Sequence, residues 1–231
     1  MTAVIASLLL ALRQLFDGAV LRILLKSLLV TVVIFLAVAW LGWMGVDWLL
    51  RGVGLSDTLF YGADGVRGLA SFLLALIGLW LTWRIVAMAV IQFYAEDVVK
   101  AVEARYYPEK AGTARELPVG EQVANGLKSA GRALLVNLIA LPFALALLFT
   151  GVGTALLFWL VNAVLVGREL QDMVWLRHKV PGRELSPVSR GERFLMGGVV
   201  AALLALPFVN LLAPVLGAAG AAHLFHRKDA V

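Results

Sequence analysis

The chain has 231 residues, 61% of them hydrophobic and only 15% charged, with a formal net charge of +5 and no cysteine. A soluble domain carries roughly 25% charged and 45–50% apolar residues, so a water-soluble enzyme is excluded and the bilayer is the natural solvent. The absence of cysteine removes disulfides and thiolate metal sites, and the basic residues flank apolar runs, which points to topology and anionic headgroups, not nucleic acid.

Residues 2–16 are apolar but interrupted by Arg13 and Gln14. The run is too short to span, and no basic segment precedes it as in a signal peptide. It reads as an interfacial helix lying on the membrane. Asp17 follows as a helix N-cap. From Ser27 to Met44 the chain is apolar, with Trp40, Trp43 and Trp48 marking the far interface. Residues 51–67 read as a Gly/Asp-rich loop, and Gly68 to Phe93 as a second spanning run. That helix is predicted to project beyond the membrane to Tyr107, where Pro108 stops it. Residues 108–120 read as a polar loop.

The second half reads as two helical hairpins. Residues 133–149 and 152–166 are apolar arms, broken by Pro142 and joined by a turn at Thr150-Gly151-Val152-Gly153. Residues 194–209 and 211–225 repeat the pattern, with Pro207, Asn210 and Pro214 at the bend. Arms shorter than the ~20 residues of a full span suggest re-entrant hairpins. Four tilted spans in a thinned bilayer are the alternative. No linker divides the chain, so residues 1–231 read as one domain. If both hairpins return to the side they left, seventeen Lys and Arg face one side and only Arg51 and Arg67 the other. That bias puts both termini in the cytoplasm, and hairpins that span twice give the same orientation.

Polar groups at membrane depth need a reason. Arg84 lies inside the second run and must be paired, wetted or carried to the interface. Asn137, Asn162 and Asn210 would hydrogen-bond neighbouring helices. Arg168 and Asp172 stand i,i+4 on a helix with Glu169 beside them, and Arg190 and Arg193 follow one loop later. This group is either a self-compensating cluster at the membrane edge or the mouth of an ion path lined by Asn162, Arg168, Glu169, Asp172, Arg190 and Asn210. The three histidines, His178, His223 and His226, are too scattered to predict a metal site, and the last two read as a membrane-edge helix end. No enzyme signature and no cofactor motif is present. At the start of the second helix, free backbone N–H groups with Leu21, Arg22 and Lys26 would suit a small dianion. Two other readings stand beside that one: Asp17 satisfies those N–H groups, or Arg22 and Lys26 hold lipid phosphates.

Three stretches carry a family resemblance: Asn162…Gly167-Arg168-Glu169…Arg177-His178; Arg190-Gly-Glu-Arg193-Phe-Leu-Met-Gly197; and Leu206-Pro207-Phe-Val-Asn210-Leu-Leu-Ala-Pro214. With the helix layout, they make the chain resemble the CysZ-type sulfate permeases of the etoposide-induced-protein superfamily. The resemblance implies an all-α integral membrane protein of the bacterial inner membrane: an N-terminal interfacial helix, two long transmembrane helices, then two short re-entrant hairpins. It also implies sulfate uptake for cysteine synthesis, homo-oligomers and no ATPase motor. The permeases' Gly-Leu-Arg-Arg anion motif corresponds here to Val20-Leu21-Arg22-Ile23, so the glycine and the second arginine are lost. Passive, channel-like flow is the leading expectation. A non-transporting membrane scaffold, its basic rim on anionic lipid, is the alternative.

Overall fold

The structure is a computed structural model that describes residues 2–52, 78–79, 82, 94–180, 182, 185–206 and 209–229. The loop after Gly52, Arg84, most of the second spanning run and Pro207 lie outside the described residues. All secondary structure among the described residues is helical: α1 (Thr2–Gln14), α2 (Gly18–Gly52), α3 (94–106), α4 (Pro108–Thr113), α5 (Val119–Leu147), α6 (Val152–His178), α7 (Arg190–Ala205) and α8 (Ala213–Asp229), with 3-10 turns at Leu148–Thr150 and Val209–Leu211. The chain divides into two units, one of Met1–Ile23 with Tyr94–Val231 and one of Leu24–Phe93.

Among the described residues, three helical stretches are long and apolar enough to cross a membrane: Gly18–Val38, Val119–Thr150 and Val152–His178. Inside α2, Ser27 and Thr31 donate their hydroxyls to the carbonyls of Leu24 and Ser27 at 2.8 and 2.7 Å. Each hydroxyl thus finds an acceptor on its own helix, as an apolar medium requires. Helix α5 has no buried residue, and Leu134, Leu138, Ile139 and Phe143 all stand out from it. Such a helix is stable only against lipid or another apolar partner.

Several sequence expectations change here. Pro142 does not break the first arm; it sits inside α5. Proline removes one backbone bond, which a long apolar helix tolerates. The helices of the first pair, 29 and 27 residues, also exceed their apolar runs. Their polar ends, 119–132 and 167–178, continue the same helices. The second pair is shorter, at 16 and 17 residues. The 108–120 loop holds the short helix α4. Pro108 ends α3 as expected, but it also serves as the first residue of α4, where its missing N–H costs nothing.

The turn between α5 and α6 forms at the predicted place. Gly151 adopts φ 64°, a region that favours glycine. The Thr150 hydroxyl accepts the Gly153 N–H at 3.0 Å, capping α6.

Helix α8 is the centre of its unit. Residues 213 to 226 are all buried, enclosed by α1, α6 and α7. Its run of Ala and Gly lets three neighbours approach on all sides. Helix α1 lays Val4, Ser7, Ala11 and Gln14 inward, a 3–4 residue stripe, against α8. Ile5, Leu9, Leu12 and Phe16 face outward.

Helices α6 and α7 meet backbone to backbone. A Cβ on Gly197 would overlap the Ala163 carbonyl and the Gly167 backbone, and one on Gly167 would overlap the Arg193 carbonyl. The Trp159 indole donates to the Gly198 carbonyl at 2.8 Å across the same contact. Small residues permit this approach, and close packing is the main force between apolar helices in lipid. Gly197→Leu is therefore expected to lower stability by about 1–3 kcal/mol or more, because backbone cannot yield as a side chain can. Thermal melting in detergent measures this; a melting temperature equal to wild type would refute the close contact. A second device fixes α7: Ser189 and Glu192 form a capping box. Ser189→Ala should cost about 1 kcal/mol, read by the same melt, and no change would show that the cap contributes nothing.

Candidate functional site

The sequence of α3 places Tyr94, Ala95, Val98, Val99 and Val102 on one buried stripe, and Glu103 continues that stripe one turn after Val99. A carboxylate there is fully buried and must be compensated. Four groups do so. Arg177 donates to Glu103 Oε2 at 3.0 Å. His178 Nε2 and His226 Nε2 both donate to Oε1, at 2.7 and 3.2 Å. Burial by itself would raise the carboxyl pKa, but the two imidazole hydrogen bonds and the Arg177 charge outweigh it and hold Glu103 down at about 2. Glu103 is thus ionised at any physiological pH.

The neighbouring His223 is held differently. Gln14 Nε2 donates to its Nε2, so the ring proton sits on Nδ1 and is donated to the Tyr107 hydroxyl at 2.8 Å. Tyr107 also stacks on His226, with centroids 4.6 Å apart. Helices α1, α3, α6 and α8 are thereby joined by one buried polar network. Tyr107→Phe should cost about 1 kcal/mol in a thermal melt, the net worth of one hydrogen bond; an unchanged melt would show that His223 needs no partner there.

The start of α2 is arranged around Asp17. Its backbone carbonyl accepts the Leu21 N–H at 2.8 Å. Its carboxylate turns to α3, accepting from the Tyr106 hydroxyl at 2.6 Å and lying 3.5 Å from Arg105. Val20 is buried, while Leu21, Arg22 and Lys26 are exposed along α2. Arg22 has no ion-pair or hydrogen-bond partner among the described residues.

A third group lies on α6. Arg168 pairs with Asp172 at 3.6 Å, as the i,i+4 spacing predicts, and Arg132 of α5 reaches the same carboxylate at 3.6 Å. From α7 it is Arg193 that joins, donating to Gln171 at 3.5 Å. Arg190 stands exposed at the start of α7, and Glu169 is exposed on α6. Asn162 and Asn137 do not bond neighbouring helices; each donates back to its own helix, to Phe158 and Ala133, at 2.8 Å. An amide on a lipid-facing helix finds its nearest acceptor one turn back. Asn210 sits in the 3-10 turn, its N–H on the Leu206 carbonyl.

The family model described as sulfate transporter CysZ/etoposide-induced protein 2.4 matches residues 7–214. The chain belongs to the EI24 family. No curated protein and no solved structure matches it. EI24 membership makes it a membrane protein of transporter-like type, and the match runs across both of its units.

Among the described residues of this EI24 chain the densest polar site is the Glu103 network, which the sequence alone does not reveal. The histidines, read as scattered, converge: His178 and His226 share one carboxylate oxygen, and His223 lies one turn from His226. One signal was available. Glu103 falls on the apolar stripe of α3, and a carboxylate on a buried stripe demands cationic or donor partners.

Proposed function

We propose that this protein carries sulfate or a related oxyanion inward across a bacterial inner membrane by channel-like flow, feeding sulfur assimilation and cysteine synthesis. The observation that carries this reading is the EI24 match over residues 7–214, under a description that names a sulfate transporter. Local support comes from Arg22, exposed and unpaired among the described residues at the first turns of α2, where backbone N–H groups and the helix dipole also favour an anion. Leu21 and Lys26 flank it along the same helix. Past that point the ion would move beside Arg168, Glu169, Asp172 and Arg190, with Asn162 and Asn210 toward the hairpin turns. In this reading the α7–α8 pair is re-entrant, both termini are cytoplasmic and the working form is a homo-oligomer in contact with anionic lipid. The burial of α8 supports a re-entrant pair, since a short arm at membrane depth needs protein around it.

The test is radiolabelled sulfate flux into proteoliposomes holding the purified protein, against empty liposomes. Saturable flux, competed by selenate or molybdate, is expected. Its absence from folded protein would leave a scaffold whose basic residues hold lipid phosphates, the reading that the loss of the family's glycine and second arginine at Val20 and Ile23 favours.

A further inference from the structure

We propose that Glu103, His178 and His226 form a binding site for a divalent first-row transition metal, Zn(II) by ligand type. Two imidazoles and one carboxylate are a set that such ions take readily. The three come from α3, α6 and α8, and their donor atoms lie within 4.8 Å of one another. Glu103 and His226 are buried and His178 is partly so; the side chains of His178 and His226 are 7% and 1% exposed.

The geometry is close to that of a metal site. Bonds of about 2.0–2.1 Å in a tetrahedral arrangement put donor atoms roughly 3.3 Å apart. His226 Nε2 already lies 3.2 Å from Glu103 Oε1. His178 Nε2, at 2.7 Å, has only to withdraw by about 0.6 Å. Metal-bound carboxylates have their second oxygen held by a hydrogen bond, and Arg177 holds Oε2 here.

The histidines sort themselves. Gln14 and Tyr107 occupy both nitrogens of His223, so that ring offers no lone pair. His226 Nδ1 is buried with no partner among the described residues. In the metal-free protein the ring proton sits on Nε2, facing Glu103, and Nδ1 has no acceptor that competes for it. Moving it to Nδ1 frees Nε2 as a ligand, and His178 Nε2, which donates to the same oxygen, has to give up its proton likewise.

Charge balance is the main objection, since Arg177 already neutralises Glu103. Arg177 also lines a cavity of about 130 Å³ together with Glu96, Lys100, Glu116 and Gln122. Glu96 and Glu116 have no ion-pair or hydrogen-bond partner among the described residues. Arg177 can share its charge with those carboxylates while the cation takes Glu103. Three protein ligands also leave a fourth position for water or an anion. Such a site would cross-link α3, α6 and α8.

The experiment uses the full chain, purified without a histidine tag, stripped with chelator and titrated with Zn(II). We expect one Zn(II) per chain at micromolar free metal or below, with at least a tenfold weaker affinity in His226→Ala. Wild type that binds no Zn(II), or His226→Ala that binds it as tightly, overturns the site. X-ray absorption at the zinc edge of the wild-type protein keeps the test decisive when the variant does not fold. The chain has three histidines and no cysteine, so a shell of two imidazoles and oxygen supports the assignment, and an all-oxygen shell overturns it.

Discussion

Glu103→Ala is expected to be the most destabilising single change in the described part of the protein. Removing one partner of a buried ion pair typically costs about 3–5 kcal/mol, because the other charge is left without compensation. Arg177 would be left so; its side chain is 11% exposed. His178 and His226 would each lose an acceptor as well. An unmade buried hydrogen bond costs about 1–3 kcal/mol, and a whole domain is stable by only about 5–15 kcal/mol. Loss of monodisperse protein in detergent, or a large fall in melting temperature, is the expected result. The double variant Glu103→Leu with Arg177→Met is the informative control. It replaces both charges by apolar groups and should recover part of the loss, as buried pairs often tolerate. A melt of Glu103→Ala within about 1 kcal/mol of wild type would mean that the network contributes nothing to folding.

Arg22→Ala should act on transport and not on folding. The side chain is exposed, so its truncation should change stability by less than about 0.5 kcal/mol. A hydrogen bond to a charged group is worth about 1.5–3 kcal/mol, and each 1.4 kcal/mol is about tenfold in affinity. Sulfate binding, and flux at low sulfate, should therefore fall by roughly ten- to a hundredfold. Arg22→Lys should keep part of both, since it retains the charge and loses the planar fork. Flux equal to wild type in a folded Arg22→Ala variant would remove this residue from the path and recast it as a lipid ligand.

The legible features of the fold share one property: the residues that decide them are neighbours in sequence. The membrane class follows from apolar runs whose length matches a bilayer. Pro108 stops α3 and Gly151 turns α5 into α6 because proline and glycine act on their own backbone. The Arg168–Asp172 pair forms because an α-helix puts i and i+4 on one face. The misreadings have local physics too. Pro142 has the local character of a helix breaker, yet it costs one hydrogen bond in a helix held by many. Asn137 and Asn162 carry amides able to reach other helices, yet each has a carbonyl waiting one turn back.

The sequence by itself thus determined the solvent, the helical class, the helix ends set by Pro108 and Gly151, and the family. Only the tertiary structure decided which polar groups meet. Glu103 lies 74 residues from Arg177, 75 from His178 and 123 from His226. No periodicity relates positions on three separate helices. Their encounter depends on how α8, small enough on every face to be enclosed, draws α1, α6 and α7 around it. The chain codes for that core through a run of alanine and glycine, residues that say how closely helices can approach but not which neighbours will arrive.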